Sequence, residues 1–210
     1  MTDAILPFIE TGDAADPRPP IVFLHGFAGD GLAWAGIQPA VPAPRRTLAF
    51  DLPGHGKALD WPERGGAGVA ARWVRRSLEG LGIARAHLVG HSMGGAAACL
   101  LAMRSPERVA SMTLLAPGGF GPEINARLLR RYARAADMRD LAPVVEGFFG
   151  LASEVPGDLV PLMAALRSDP AVIASFAGIV DSILEGDGQA MLDLSQLADA
   201  PFPARLIWGE

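Results

Sequence analysis

The sequence lacks several features that mark common classes of protein. It contains one cysteine, Cys99, so an intramolecular disulfide is excluded, and its apolar neighbours predict a core residue rather than a reactive thiol. Residues 1–5 have neither a basic start nor a long apolar stretch, which predicts no secretory signal and, with the single cysteine, a cytoplasmic protein. No uncharged apolar run approaches the roughly 20 residues that cross a bilayer. The net charge is −5, and no cluster of basic residues is strong enough to suggest binding to nucleic acid. Neither a membrane nor a nucleic acid is therefore an expected partner.

What the sequence does contain is typical of a soluble globular core. Of its 210 residues, 50% are hydrophobic and 20% are charged. Several short apolar runs end close to glycine, and such continuous runs are typical of strands buried on both faces of a parallel sheet. The predicted strands are residues 21–24, 47–50, 86–89, 111–115 and 204–208. Because helical patterns alternate with them, as at residues 69–81, we predict an α/β fold with a mostly parallel open sheet flanked by helices.

Residues 118–200 interrupt this alternation. They contain apolar residues at helical spacing and no convincing strand. An all-helical block between two strands is expected to cover the carboxyl ends of the sheet, where open α/β sheets bind ligands. We therefore predict a core of residues 1–117 and 201–210, with residues 118–200 inserted as a helical cap. The apolar residues of this cap favour a small, fairly hydrophobic substrate.

Residues 90–95, Gly-His-Ser-Met-Gly-Gly, carry the strongest chemical signal. They follow a predicted strand and precede a small, apolar helix, and a G-x-S-x-G pattern in that context predicts a nucleophilic serine, Ser92, on a sharp turn. Small residues are needed beside such a serine because its backbone is strained and the helix must pack closely on the strand. A glycine-rich turn with an incidental serine is the structural alternative.

Acyl transfer by a serine also requires two backbone N–H groups aimed at the developing oxyanion. The N–H of Met93, directly after the serine, is one candidate. The N–H of Phe27, at the end of the first long strand, is the other. Residues 51–56, Asp-Leu-Pro-Gly-His-Gly, follow another strand and are predicted to form a structural turn.

Taken together, these motifs resemble the α/β-hydrolase fold family. Residues 25–27, 51–56, 90–95 and 208–210 occur in that family's order. The resemblance implies that Ser92 is the nucleophile, that Phe27 and Met93 form the oxyanion hole, and that no cofactor or metal is needed. It implies a serine hydrolase, esterase-like, acting on an ester, thioester or related acyl bond of a small substrate. Carbon–carbon bond hydrolases and cofactor-free haloperoxidases resemble the same motifs.

The resemblance also implies catalytic residues that these 210 residues do not contain. In this fold an acid and then a histidine follow the serine along the chain. Both are expected beyond Glu210, which is predicted to precede the loop of the acid; Glu210 as the acid itself is the alternative. The four histidines all precede Ser92: His25, His55, His87 and His91. His91 is next to the serine but on the opposite face of the strand, and His55 is a remote alternative. Since residues 206–208 would form an uncovered apolar edge, we expect a fragment without the last strand and helix of the fold.

Two other functions stay open. If Glu210 is the natural end of the chain, the missing base favours a non-catalytic protein that uses the fold for binding. Residues 121–125, Gly-Pro-Glu-Ile-Asn, resemble the hydrolase-like domain of the acetyltransferase subunit of acetoin dehydrogenase, which would imply an acyltransferase component of such a complex. The sequence does not determine the substrate or the oligomeric state.

Overall fold

A sheet of six strands organises the protein, whose computed structural model describes residues 4–149 and 153–209. The strands of the described residues are β1 (Phe8–Thr11), β2 (Ile21–Leu24), β3 (Thr47–Phe50), β4 (Ala86–His91), β5 (Val109–Leu115), β6 (Leu184–Glu185), β7 (Gly188–Gln189) and β8 (Ala204–Ile207). The sheet has the order β1-β3-β2-β4-β5-β8, while β6 and β7 form a separate hairpin. Every neighbouring pair in the sheet is parallel except β1 with β3. The predicted fold class is confirmed.

Helices connect and cover these strands. Within the described residues the α-helices are α1 (Ala67–Gly80), α2 (Met93–Arg104), α3 (Ala126–Arg134), α4 (Met138–Glu146), α5 (Leu159–Leu166) and α6 (Pro170–Ile183). Short 3₁₀ helices cover Gly31–Trp34, Gln38–Ala40, Gly56–Ala58, Pro106–Arg108 and Leu194–Leu197. No single helix of the described residues is long and apolar enough to cross a membrane, and only the pair α5 and α6, bent by 98°, passes that test jointly, by length and composition alone.

The central strand β2 is continuously apolar because packed side chains cover both faces of the sheet there. Val22 and Leu24 belong to the large core formed with α1 and α2. Phe23, between them, points to the other face and packs on Trp34 with ring centroids 5.0 Å apart. Cys99 of α2 is fully buried, as predicted, and burial raises the pKa of its thiol to about 12.

Two elements differ from what the sequence pattern predicts. β1 is an edge strand of four residues, and the hairpin β6–β7 interrupts the stretch 118–200, where the pattern predicts no strand. β1, Phe-Ile-Glu-Thr, and the two-residue strands β6 and β7 show neither a continuous apolar run nor an alternation of apolar and polar residues, the two patterns that predict strands. β1 forms a strand because it pairs with β3, and β6 and β7 form strands because they pair with each other.

The other end of the sheet is open to solvent. Leu206, Ile207 and Trp208, in and after β8, are 52%, 47% and 59% exposed, as expected for an apolar edge. Helices α3 to α6 lie between β5 and β8 in the chain; their division from the core as a cap domain stays a prediction. Residues 1–3, part of the segment in which no leader is predicted, and Glu210 lie outside the described residues.

Candidate active site

The carboxyl ends of β2, β3 and β4 lie side by side and bring the predicted motifs together. In the parallel register Leu24 pairs with Phe50 of β3 and with Gly90 of β4. The segment that follows each strand therefore starts at the same edge of the sheet. These segments are residues 25–28, 51–56 and 90–95.

Ser92 occupies a strained turn between β4 and α2. Its φ of +49° and ψ of −115° are uncommon for a residue with a side chain. Its N–H donates to the Leu115 carbonyl at 3.0 Å, and its own carbonyl accepts from the N–H groups of Ala96 and Gly118, each at 3.0 Å. Backbone on both sides thus imposes the strain, as a nucleophile turn requires.

The glycines beside Ser92 are required by close backbone packing. A Cβ at Gly94 would lie 2.3 Å from the Leu24 carbonyl oxygen and 2.5 Å from that of His25. A Cβ at Gly90 would lie 2.5 Å from the Gly94 carbonyl oxygen. Only hydrogen at these positions lets α2 start directly against β2 and β4, which agrees with the sequence-based reason for small residues around the serine.

The structure brings Phe27 and Met93 to the same place as Ser92. All three line one cavity of about 180 Å³. In the described part of the chain, no acceptor receives a hydrogen bond from the backbone N–H of Phe27 or of Met93, whereas the neighbouring N–H of Ala28 is bonded. Met93 is also the first residue of α2, where the helix dipole favours negative charge. Two unoccupied donors therefore accompany the serine.

The rest of the cavity wall is almost entirely apolar. From the stretch 118–200 it includes Ile124, Leu129, Ile183, Met191 and Leu192. No charged side chain lines it among residues 4–149 and 153–209, and its polar side chains are those of Ser92, Ser182 and Gln189. An uncharged, apolar group is the chemical match for such a wall.

Gln189 has a structural task in this wall. Its Oε1 accepts from the Gly119 N–H at 3.0 Å, and its Nε2 donates to the carbonyls of Gly121 and Glu123 at 2.9 and 3.3 Å. The amide thus joins β7 to the loop that follows β5. Sequence reasoning missed this role because the two segments lie about 70 residues apart and no local pattern connects them.

Two histidines lie under the site as neutral structural groups. His25 Nδ1 donates to the Gly26 carbonyl at 2.8 Å and its Nε2 accepts from the Leu52 N–H at 2.9 Å. His55 Nδ1 donates to the Pro53 carbonyl at 3.2 Å and its Nε2 accepts from the Ala28 N–H at 3.1 Å. Because a carbonyl only accepts and a backbone N–H only donates, both rings carry their proton on Nδ1. Burial lowers the pKa of His25 to about 4 and that of His55 to about 3.

No described histidine serves Ser92 as a base. The Ser92 Oγ has no hydrogen-bond partner within residues 4–149 and 153–209. Both nitrogens of His55 are engaged elsewhere, which removes it as an alternative base. His87 Nδ1 lies 2.7 Å from the Ser111 Oγ, and the side chain of His91 is exposed beside Gly26. Glu210, the candidate for the acid or for the residue before its loop, lies outside the described residues.

Asp51 is structural, as the sequence predicts for the turn 51–56. Its carboxylate accepts from the Gly31 N–H at 2.7 Å and from the Lys57 N–H at 2.8 Å. Both oxygens are thus engaged in holding loops at the carboxyl edge of the sheet. Any effect of the turn 51–56 on the site therefore comes from residues other than Asp51.

Comparison with known proteins places this arrangement in a family. A sequence model of the alpha/beta hydrolase fold matches residues 19–151. The chain belongs to the α/β-hydrolase fold family. It is 36% identical over 190 residues to the dihydrolipoyllysine-residue acetyltransferase component of the acetoin cleaving system of Pseudomonas putida, covering 90% of this chain and 51% of that protein. This chain therefore spans about half the length of that relative.

Other members of the family carry names of hydrolases. The chain is 29% identical over 212 residues to a 2-hydroxy-6-oxononadienedioate/2-hydroxy-6-oxononatrienedioate hydrolase of Cupriavidus pinatubonensis, covering 95% of this chain and 72% of that protein. Among solved structures, the 2-hydroxy-6-oxo-6-phenylhexa-2,4-dienoate hydrolase of Rhodococcus sp. strain RHA1 superposes with a TM-score of 0.81 at 21% identity, over 98% of this chain and 82% of that one. This last likeness is one of fold.

Proposed function

We propose that this protein is a serine hydrolase that cleaves an ester, thioester or related acyl bond, with Ser92 as nucleophile and the N–H groups of Phe27 and Met93 as the oxyanion hole. One observation carries the proposal: a serine on an imposed, strained turn lines the same cavity as Phe27 and Met93, whose backbone N–H groups have no acceptor among the described residues. The family relatives named as hydrolases support the same class of reaction.

The proposed reaction proceeds through a covalent intermediate. As a base removes its proton, the Ser92 Oγ attacks the acyl carbon, and the carbonyl electrons move onto the oxygen that the Phe27 and Met93 N–H groups receive. When this tetrahedral intermediate collapses, the alcohol or thiol leaves and takes up the proton from the base. Water then hydrolyses the acyl-serine by the same route.

The base is the part of this proposal that these 210 residues do not supply. A serine hydroxyl is a weak nucleophile without a positioned base, and none of the four histidines, all within the described residues, makes a hydrogen bond to the Ser92 Oγ. The proposal therefore requires a histidine, and an acid that orients it, at the positions that the family order assigns after Glu210.

Covalent labelling tests the proposal directly. In the protein expressed from its natural gene, a fluorophosphonate probe is expected to add to the peptide that contains Ser92, because only an activated serine reacts quickly. Mass spectrometry of the digested protein locates the adduct, and Ser92→Ala is the control that must stay unlabelled. A folded protein that does not react would favour the alternative of a non-catalytic binding protein.

The cavity wall supports an uncharged, apolar acyl group of modest size. A comparable apolar cavity of about 150 Å³ in a studied protein binds benzene, and this one measures about 180 Å³. An acyl chain that ends in a carboxylate would bury a charge without a partner. The name of the relative from Cupriavidus pinatubonensis specifies a dioate, and the described residues of this wall include no cation to receive one.

Ester hydrolysis is therefore expected to discriminate by charge. We predict that p-nitrophenyl butyrate is cleaved with a kcat/KM at least about tenfold above that of the hemisuccinate ester, because a buried, unpaired polar group costs at least ~1–3 kcal/mol. Steady-state kinetics on the two esters measures the ratio. Ile124→Lys, which adds a cation to the wall, should lower this ratio. Equal kcat/KM values of the wild type on both esters would contradict the assigned substrate class.

The acetyltransferase relative favours one second candidate. At 36% identity over 90% of this chain, it supports transfer of the acyl group from Ser92 to a thiol in place of water. Adding dihydrolipoamide to the hydrolysis assay distinguishes the two: acyl-dihydrolipoamide forms in the transferase, and only the free acid forms in the hydrolase.

A further inference from the structure

The turn 51–56 lies between the proposed oxyanion hole and helix α6, and it contacts both. His55 at its centre is fully buried. Its ring is 6.2 Å from the ring of Phe27 and 5.4 Å from that of Phe176 in α6, measured between centroids. Neither the hydrolysis of an acyl bond nor the strained serine turn uses this residue.

On the core side, His55 holds the loop that carries Phe27. Its Nε2 accepts from the Ala28 N–H at 3.1 Å. Ala28 has a φ of +59°, which a residue with a side chain adopts only when its surroundings impose it. The peptide just before this one carries the Phe27 N–H, and its carbonyl, on Gly26, accepts from His25 Nδ1 at 2.8 Å and from the Gly29 N–H at 3.1 Å. The direction of the Phe27 N–H therefore depends on two consecutive peptide planes. The side chain of His25 holds the first by a hydrogen bond. Within the described residues, the hydrogen bond to His55 is the only side-chain bond that holds the second.

On the other side, α6 is docked tightly on the same turn. The Ser175 Oγ–H donates to the Gly54 carbonyl at 2.9 Å. Gly54 has a φ of +82°, and a Cβ there would lie 2.7 Å from both the Ile179 Cδ1 and the Ser175 Oγ. The helix and the turn thus meet without space for a side chain, so a shift of α6 displaces residues 54 and 55 with it.

We infer that His55 is a positioning residue of the oxyanion hole, through which helix α6 sets the direction of the Phe27 N–H. This rests on the proposed function, since the hole has a purpose only if Ser92 forms a tetrahedral intermediate. The His55 ring is locked in one tautomer by the Pro53 carbonyl at 3.2 Å, so its Nε2 always presents a lone pair to Ala28. The position of the cap helix and the catalytic power of the hole are then coupled.

Kinetics of three variants test this inference in the protein expressed from its natural gene, with p-nitrophenyl butyrate as substrate. His55→Phe keeps a ring in the site but removes the acceptor, and we expect kcat to fall about 10- to 100-fold with KM within about threefold of wild type, as a donor misplaced by ~1 Å would cause. His55→Gln, whose amide oxygen can accept from Ala28, should restore kcat to within about fivefold of wild type. His87→Phe is the matched control, since this histidine bonds to Ser111 and pairs with Ile21 at the start of β2, the end of the strand away from the loop and the turn.

A second measurement keeps the inference testable if His55→Phe does not fold. Ser175→Ala removes only the hydrogen bond between α6 and Gly54, and it should lower kcat about three- to tenfold through the same chain of contacts. Amide hydrogen exchange, which needs no activity, should show faster exchange of the Ala28 N–H in Ser175→Ala than in wild type. A wild-type kcat in His55→Phe, or in Ser175→Ala where the former is unfolded, would overturn the inference.

The outcome for Ser92→Ala separates the two proposals. If that variant still cleaves the ester, the proposed function fails, whatever the other variants do. If it is inactive while a folded His55→Phe retains a wild-type kcat, the hydrolase stands and only the coupling through His55 is wrong.

Discussion

Replacing Gly94 with alanine is expected to destabilise the protein by more than about 3 kcal/mol, a large part of the ~5–15 kcal/mol by which domains are stable. The new Cβ would lie 2.3 Å from the Leu24 carbonyl oxygen and 2.5 Å from the His25 carbonyl oxygen. Both are backbone atoms, and Leu24 is paired on both sides within the sheet, so neither can move away as a flexible side chain would. The first turn of α2 must shift instead, and the strained turn of Ser92 shifts with it.

Urea unfolding followed by circular dichroism measures this effect. Gly178→Ala is a matched control, because Gly178 lies inside α6 and a Cβ there would point into open space. That variant is expected to gain about 0.5–1 kcal/mol, since alanine is the better helix former. A Gly94→Ala protein with the wild-type midpoint would contradict the packing described at the serine turn.

As the pH falls, this protein is expected to lose stability at a higher pH than titration of its carboxylates alone would predict. His25 and His55 are fully buried as neutral rings, with pKa values of about 4 and about 3. In the unfolded chain both have a pKa near 6.5. Below about pH 6.5 the unfolded state therefore binds protons that the folded state refuses, and the free energy of unfolding falls by up to about 1.4 kcal/mol per pH unit for each ring. The loss continues until the pH reaches the folded pKa values.

Two structural features explain why the His25 and His55 rings resist protonation. A proton on Nε2 would remove the acceptors of the Leu52 and Ala28 N–H groups. The two rings also lie 4.9 Å apart, so a charge on one opposes a charge on the other. Acid thus acts on the loop of Phe27 as well as on global stability.

Urea unfolding at several pH values between about 7 and 5 measures this dependence, in a window above the ordinary titration of carboxylates. His55→Gln should reduce the slope by up to about 1.4 kcal/mol per pH unit. His91→Gln, at an exposed position, should change it less. A wild-type free energy of unfolding that stays constant across the window would contradict the buried, neutral state of both histidines.

Much of the fold could be predicted from local patterns. The predicted strands 21–24 and 47–50 agree with β2 and β3, because side chains buried on both faces of a parallel sheet leave a continuous apolar run in the sequence. The turn at Ser92 could be predicted for a related reason. Close approach of helix and strand admits only glycine at positions 90 and 94, so the geometry is written in adjacent letters. β1 could not be predicted, since Phe-Ile-Glu-Thr is neither a continuous apolar run nor an alternation of apolar and polar residues.

By itself the sequence determined the fold class, the family resemblance and the candidate residues Ser92, Phe27 and Met93, because each depends on spacing within a few residues. Only the tertiary structure decided what the histidines do and what the cavity excludes. His25 and His55 each bond to a backbone N–H 27 residues away in the chain. The uncharged wall likewise combines residues of the core with residues of α3, α6 and β7. Such contacts follow from strand register and helix docking, which bring distant segments together and leave no pattern in the local sequence.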